Sequence, residues 1–110
     1  MEININQKNI FGGNSINIIY PTDRELTADL KNQILKGLKK FNVNSVVLQF
    51  DYDQETKVFI DKIASFFRNE RYAVFGENDN RFASGIKRRE FSISKHPSDP
   101  NFAIVRVGGL

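Results

Sequence analysis

The chain has 110 residues, of which 40% are apolar and 26% are charged, and its net charge is +3. This length suits one small domain, 1–110, with a single hydrophobic core. The absence of Cys excludes disulfides, cysteine-based metal sites and thiol catalysis, and a single His excludes histidine-rich metal sites. Neither a membrane-length apolar run nor a signal-peptide pattern is present, so we expect a cytoplasmic protein with no membrane segment.

The first predicted elements are a β-hairpin and a long helix. The hairpin pairs residues 3–11 with 15–20 across Gly12-Gly13-Asn14, whose residues tolerate the positive φ values of a tight turn. Thr22 and Glu25 form a capping box, so the helix is expected to begin at Thr22. Its apolar face repeats at steps of three and four residues, through Leu26, Leu30, Ile34, Leu38 and Phe41.

The middle of the chain predicts a strand, a helix and a strand. Residues 45–50 are almost continuously apolar, which is typical of a strand buried on both faces. A second helix with a broad apolar face follows, and residues 72–75 form the next strand. The two β-α-β crossovers are expected to be right-handed and to make strands 15–20, 45–50 and 72–75 parallel neighbours.

The C-terminal part predicts two strands, added antiparallel at the edges of the sheet. Residues 89–95 alternate between apolar and polar, a turn with two prolines follows, and 102–107 is apolar. Residues 108–110 are expected to form a flexible tail. The fold class is therefore α/β (α+β), a single small domain with a mixed sheet, the order β-β-α-β-α-β-β-β and two main helices. Its core is expected to include Leu30, Val47, Ile63 and Phe66.

The excess positive charge lies in the C-terminal part. Residues 1–65 carry eight bases and eight acids, whereas 66–110 carry eight bases and five acids. Such a patch attracts phosphates or acidic protein surfaces, although cations on an edge strand also deter unwanted strand pairing. We expect a binding domain that contacts an acidic protein partner or a nucleic acid, with Lys87 and Arg89 on one strand face and Arg88 on the other. The oligomeric state stays open. The candidate binding residues are Arg81, Lys87, Arg88, Arg89 and Lys95.

An enzymatic alternative depends on Asp51 and Asp53, which follow the strand 45–50. Carboxylates at the carboxyl ends of parallel strands are a common arrangement for Mg²⁺ and phosphate chemistry. The segment Phe50-Asp51-Tyr52-Asp53 resembles the metal-binding segment of TOPRIM domains and the first motif of haloacid-dehalogenase phosphatases. It departs from both families at Thr56. The phosphatase motif has its Thr one position earlier, and TOPRIM domains have Gly at the position of Thr56. The other interpretation is structural, with Asp51 or Asp53 as the N-cap of the second helix and no cofactor.

Overall fold

The computed structural model describes residues 15–78 and 85–109. In chain order its elements are β1 (Ser15–Asn17), α1 (Ala28–Phe41), β2 (Ser45–Phe50), α2 (Gln54–Asn69), β3 (Ala73–Phe75), β4 (Phe91–Lys95) and β5 (Phe102–Val107). The mixed sheet and two helices confirm the predicted class of fold. The strand predicted at 3–11 lies outside the described residues. Among the described residues, no helix has the length and apolar character needed to cross a bilayer.

The strands lie in the order β1-β4-β5-β2-β3. β4 pairs antiparallel with β1 and β5, whereas β2 pairs parallel with β5 and β3. β1 therefore runs in the same direction as β2 and β3 but is not a neighbour of β2. The expectation that the two C-terminal strands lie at the edges is wrong. The six-residue apolar strands β2 and β5 occupy the centre, where a strand pairs on both sides, and the three-residue strands β1 and β3 form the edges.

Both helices cover the same face of the sheet. A Cβ atom at Gly37 of α1 would lie 3.4 Å from the Ile93 side chain, and the Phe59 ring of α2 meets the Phe91 ring at 6.1 Å. Ile93 and Phe91 share one face of β4, so the opposite face of the sheet carries neither helix. We call that opposite face the open face. It includes Val47, which pairs with Ile104 and Phe75.

Because the helices cover only one face of the sheet, some of the residues predicted for the core are buried and one is not. Leu30, Ile63 and Phe66 are buried as expected. Val47 is only half-buried, so the predictions that it is a core residue and that its strand is buried on both faces are wrong. The alternating burial along β2 arises because successive side chains point to opposite faces, of which the helices cover one.

Helix α1 begins later than predicted. Its N-cap is Thr27, whose hydroxyl accepts a hydrogen bond from the Leu30 amide at 3.2 Å. Thr22 lies instead in a turn, in which the Arg24 amide donates to the Pro21 carbonyl at 2.9 Å. Arg24 has a φ of 57°, which is incompatible with a continuous right-handed helix from Thr22. The predicted start at Thr22 is therefore wrong.

This start is testable by comparing two threonines. Thr27→Ala removes the N-cap hydrogen bond and is expected to lower the free energy of unfolding by about 1 kcal/mol. Thr22→Ala, the matched control, should change it by less than about 0.5 kcal/mol. Urea denaturation followed by circular dichroism measures both, and a larger loss for Thr22→Ala would contradict the helix boundary.

Candidate binding site

Residues 87–90 form a tight turn, which we call the basic turn. The Glu90 amide donates to the Lys87 carbonyl at 3.1 Å, and the Lys87 amide donates to a Glu90 carboxylate oxygen at 2.9 Å. Arg89 occupies the third position with a φ of 58°, as in a type II turn. β4 begins only at Phe91, so the strand alternation predicted to place Lys87 and Arg89 on one face does not apply.

The basic turn packs against the backbone of Gly108 and Gly109. The Gly108 amide donates to the Glu90 carbonyl at 2.7 Å, and the Arg89 amide donates to the Gly109 carbonyl at 2.8 Å. A Cβ atom at Gly108 would overlap the Lys87 carbonyl oxygen and lie 2.9 Å from the Glu90 nitrogen. Both glycines are buried, so the expectation of a flexible tail is wrong for them. Glycine is required at 108 because the two backbones approach too closely for a side chain.

Two side chains from other parts of the chain hold these glycines. The Asp51 carboxylate accepts from the Gly109 amide at 2.7 Å, and the Tyr20 hydroxyl donates to the Gly108 carbonyl at 2.9 Å. Burial raises the pKa of Tyr20 by more than the nearby Arg24 charge lowers it. The hydroxyl therefore keeps the proton that it donates to Gly108. Asp51, singled out in the sequence as a candidate metal ligand or helix cap, thus fixes the position of the glycines.

Asp53 is the N-cap of α2. One of its carboxylate oxygens accepts from the Thr56 amide at 2.8 Å, and the other accepts from the Thr56 hydroxyl at 2.9 Å. This geometry matches the structural interpretation of Asp53. Within residues 15–78 and 85–109, no three His, Cys, Asp or Glu side chains converge as a metal site would require.

The basic turn forms one wall of a concave pocket of about 550 Å³, which we call the basic pocket. Its cationic lining residues are Lys87, Arg88, Arg89 and Arg106, and the rest of the lining is Asn17, Ile18, Gly85, Glu90 and Phe91. Lys95 lies at the other end of β4, beside Pro97 in a separate hollow. Arg81 lies outside the described residues. The structure thus brings together three of the five predicted binding residues and adds Arg106, which the sequence analysis missed.

Glu90 fixes the position of Arg106 in this pocket. Its carboxylate accepts from the Arg106 guanidinium at 2.9 Å and from the Ser92 hydroxyl at 3.0 Å. Burial alone would raise the pKa of Glu90, but hydrogen bonds from the Lys87 amide, Ser92 and Arg106 together lower it below its ordinary value. Glu90 therefore stays ionised, and among the described lining residues the four cations outnumber this one carboxylate.

A buried arginine supports the same edge of the sheet. Arg24 is 8% exposed, and its guanidinium lies 4.9 Å from the Tyr20 ring centre and 5.2 Å from that of Phe59. It donates to the Thr56 hydroxyl at 3.0 Å, and that hydroxyl in turn donates to Asp53. The two rings and the relayed carboxylate stabilise the buried charge. The network thereby positions Tyr20, which holds Gly108.

The chemistry available in the basic pocket is anion binding. Its cationic side chains offer positive charge and N–H donors, while the Glu90 oxygens already accept three hydrogen bonds. Charged donors of this kind bind phosphates and carboxylates strongly. Comparisons with protein-family models, curated proteins and solved structures found no significant match. The geometry of the pocket therefore supplies the basis for a functional proposal.

The contact between glycine and turn can be tested by mutation. Gly108→Ala is expected to lower the free energy of unfolding by about 1–3 kcal/mol or more, because the added methyl group meets backbone atoms that cannot rotate away. Gly37→Ala is the control, because its methyl group meets only the flexible ends of Ile16 and Ile93 and gains helix propensity. Equal stability of the two variants in urea denaturation would contradict the close approach at Gly108.

The hydrogen bonds of Glu90 predict a pH dependence of stability. Because the folded state lowers the pKa of Glu90 below its ordinary value, the ionised form contributes stability at pH values above that ordinary value. This contribution is lost as the pH falls through the lowered pKa. Glu90→Gln should therefore be less stable than the wild type at pH 7, with a difference that shrinks in acid. Thermal melts between pH 7 and 3 test this, with the exposed Glu25→Gln as control. A constant difference for Glu90→Gln would contradict the assignment.

Proposed function

We propose that this protein is a binding domain that contacts a polyanionic partner, either an acidic protein surface or a nucleic acid, through the basic pocket. The observation that carries the proposal is the convergence of four cationic side chains on one concave surface. This surface lies at the edge of the sheet where β1 and β5 end and β4 begins, and open α/β sheets commonly bind ligands beyond the carboxyl ends of their strands.

Protection of a sheet edge does not account for these cations. β4 is paired on both sides, with β1 and with β5, so it presents no free edge. Lys87, Arg88 and Arg89 also precede the strand, in the basic turn. Among the described lining residues there are four cations and one carboxylate, and a cluster with this excess of positive charge attracts anions.

The backbone of Arg89 supports the same proposal. A left-handed conformation suits Gly or Asn, and an arginine there costs on the order of 1 kcal/mol. Glycine would avoid this cost. Arginine instead places an exposed charge beside the pocket, which is the feature that the proposal uses.

Charge reversal tests the proposal directly. Lys87→Glu combined with Arg89→Glu should weaken binding of fluorescein-labelled oligonucleotides and of a labelled poly-aspartate peptide, measured by anisotropy at low salt. Few ionic contacts give weak, salt-sensitive affinity, so losing two cations should reduce it by about tenfold or more. The control, Lys36→Glu with Lys62→Glu, has the same net charge but changes exposed positions on the helices.

The substitution Arg89→Gly separates binding from folding. It removes the charge and relieves the left-handed strain, so the protein should be equally stable or more stable by up to about 1 kcal/mol. Binding should nevertheless weaken. If Arg89→Gly and the double charge reversal both bind every probe as the wild type does, the proposed function is wrong.

A further inference from the structure

Three aromatic rings form a row across the open face. The Phe102 ring lies 6.2 Å from the His96 ring and 5.5 Å from the Phe75 ring, measured between centres. Phe102 is half-buried, and Phe75 is 50% exposed at the edge strand β3. We call these residues the aromatic row. Within the described residues neither helix covers the open face, so the Phe75 ring and the exposed parts of Phe102 and His96 are accessible to a partner.

The aromatic row is continuous with the basic pocket along β5. Phe102, Ile104 and Arg106 alternate with the buried residues of that strand and share the open face. Phe102 and Arg106 are four residues apart, which corresponds to about 13 Å along a strand. Arg106 also donates to the Gln49 side chain at 3.0 Å, and Gln49 is its partner in the register of β2. The half-buried Ile104 and Val47 lie between this polar pair and the rings.

This combination distinguishes between the two classes of polyanion. An acidic peptide would satisfy the cations but would leave the Phe75 ring without a partner of matching chemistry. A nucleic acid supplies phosphates for the basic pocket and flat bases that stack on aromatic rings. A duplex hides the faces of its bases within the helix, whereas a single strand exposes them.

We propose that the polyanion is a single-stranded nucleic acid, whose bases stack on the aromatic row while its phosphates occupy the basic pocket. This inference rests on the proposed function and adds the class of partner and a second contact surface. The strand runs along β5, from the rings towards the basic turn. Stacking makes the binding tolerant of sequence, because every base has a flat face.

The experiment measures anisotropy of labelled ten-nucleotide single strands, RNA and DNA, with duplexes of the same sequence and the poly-aspartate peptide as competing probes. Single strands should bind more tightly than duplexes, and about three phosphate contacts would give a slope near −2 for log affinity against log salt.

Phe75→Ala should weaken single-strand binding by about tenfold and leave peptide binding unchanged. Phe75→Tyr keeps the ring and should retain binding. The control is Val58→Ala, which shortens an apolar side chain of α2 that is 53% exposed.

The outcomes separate the two proposals. If the double charge reversal abolishes binding but Phe75→Ala binds single strands normally, the inference is wrong and the proposed function stands. Tighter binding of the poly-aspartate peptide or of duplexes than of single strands would also overturn it. If the charge reversal leaves every probe unaffected, the proposed function itself fails. Loss of binding in Phe75→Ala with retention in Phe75→Tyr supports the inference, because both variants change the same position.

Discussion

The close backbone contact between the Gly108-Gly109 segment and the basic turn is the constraint on which the site depends. These glycines form hydrogen bonds with Glu90 and Arg89 and are themselves held by Asp51. The contact joins the ends of β2 and β5 to the start of β4. Because a side chain at 108 would overlap the turn, the shape of the basic pocket follows from the absence of a Cβ atom there. The cations converge because the backbone of the basic turn and the end of β5 lie side by side beneath them.

The same edge of the sheet contains charged groups whose contacts are all within the protein and stabilise the fold. Asp53 binds the first turn of α2, and its second oxygen is linked through Thr56 to the guanidinium of Arg24. A buried cation is expensive without compensation, and here the rings of Tyr20 and Phe59 contribute to that compensation on either side. Removing the relay would therefore disturb Tyr20, and through it the glycine segment. Two carboxylates separated by one residue in the sequence thus bind two different neighbours, Asp51 the Gly109 amide and Asp53 the amide and hydroxyl of Thr56.

The sequence predicted the elements better than their arrangement. Periodicity identified both helices, because burial on one face leaves a repeating pattern of apolar residues, and nearly continuous apolar runs identified the central strands β2 and β5. The order of the strands depends on which edges pair, and that information is not local. The helix start was misplaced because Thr22 has Glu25 three residues later, whereas the actual cap, Thr27, has Leu30 there. For the site, the uneven distribution of charge identified Lys87, Arg88 and Arg89, although it did not show that they form a turn, and Arg106 is a single base within an apolar strand that gives no local signal.

β4 and β5 are neighbouring interior strands of the sheet, and for this reason the basic pocket and the open face belong to one surface. With β1 on one side, the Ile18 amide donates to Phe91 beside the turn, and with β2 on the other, the Asp51 amide donates to Val107. Neighbouring strands on both sides thus hold the turn in place. A hairpin at the edge of the sheet would have such a neighbour on only one side. The β1-α1-β2 crossover leads across this pair, and the β2-α2-β3 crossover continues in the same direction, so right-handed connections place both helices on the same face. The open face, on which neither helix lies, then carries Arg106 at the end beside the basic pocket and the partly exposed aromatic row at the other end. A layered domain with helices on both faces would bury those rings, so the one-sided cover is what makes them available for contact.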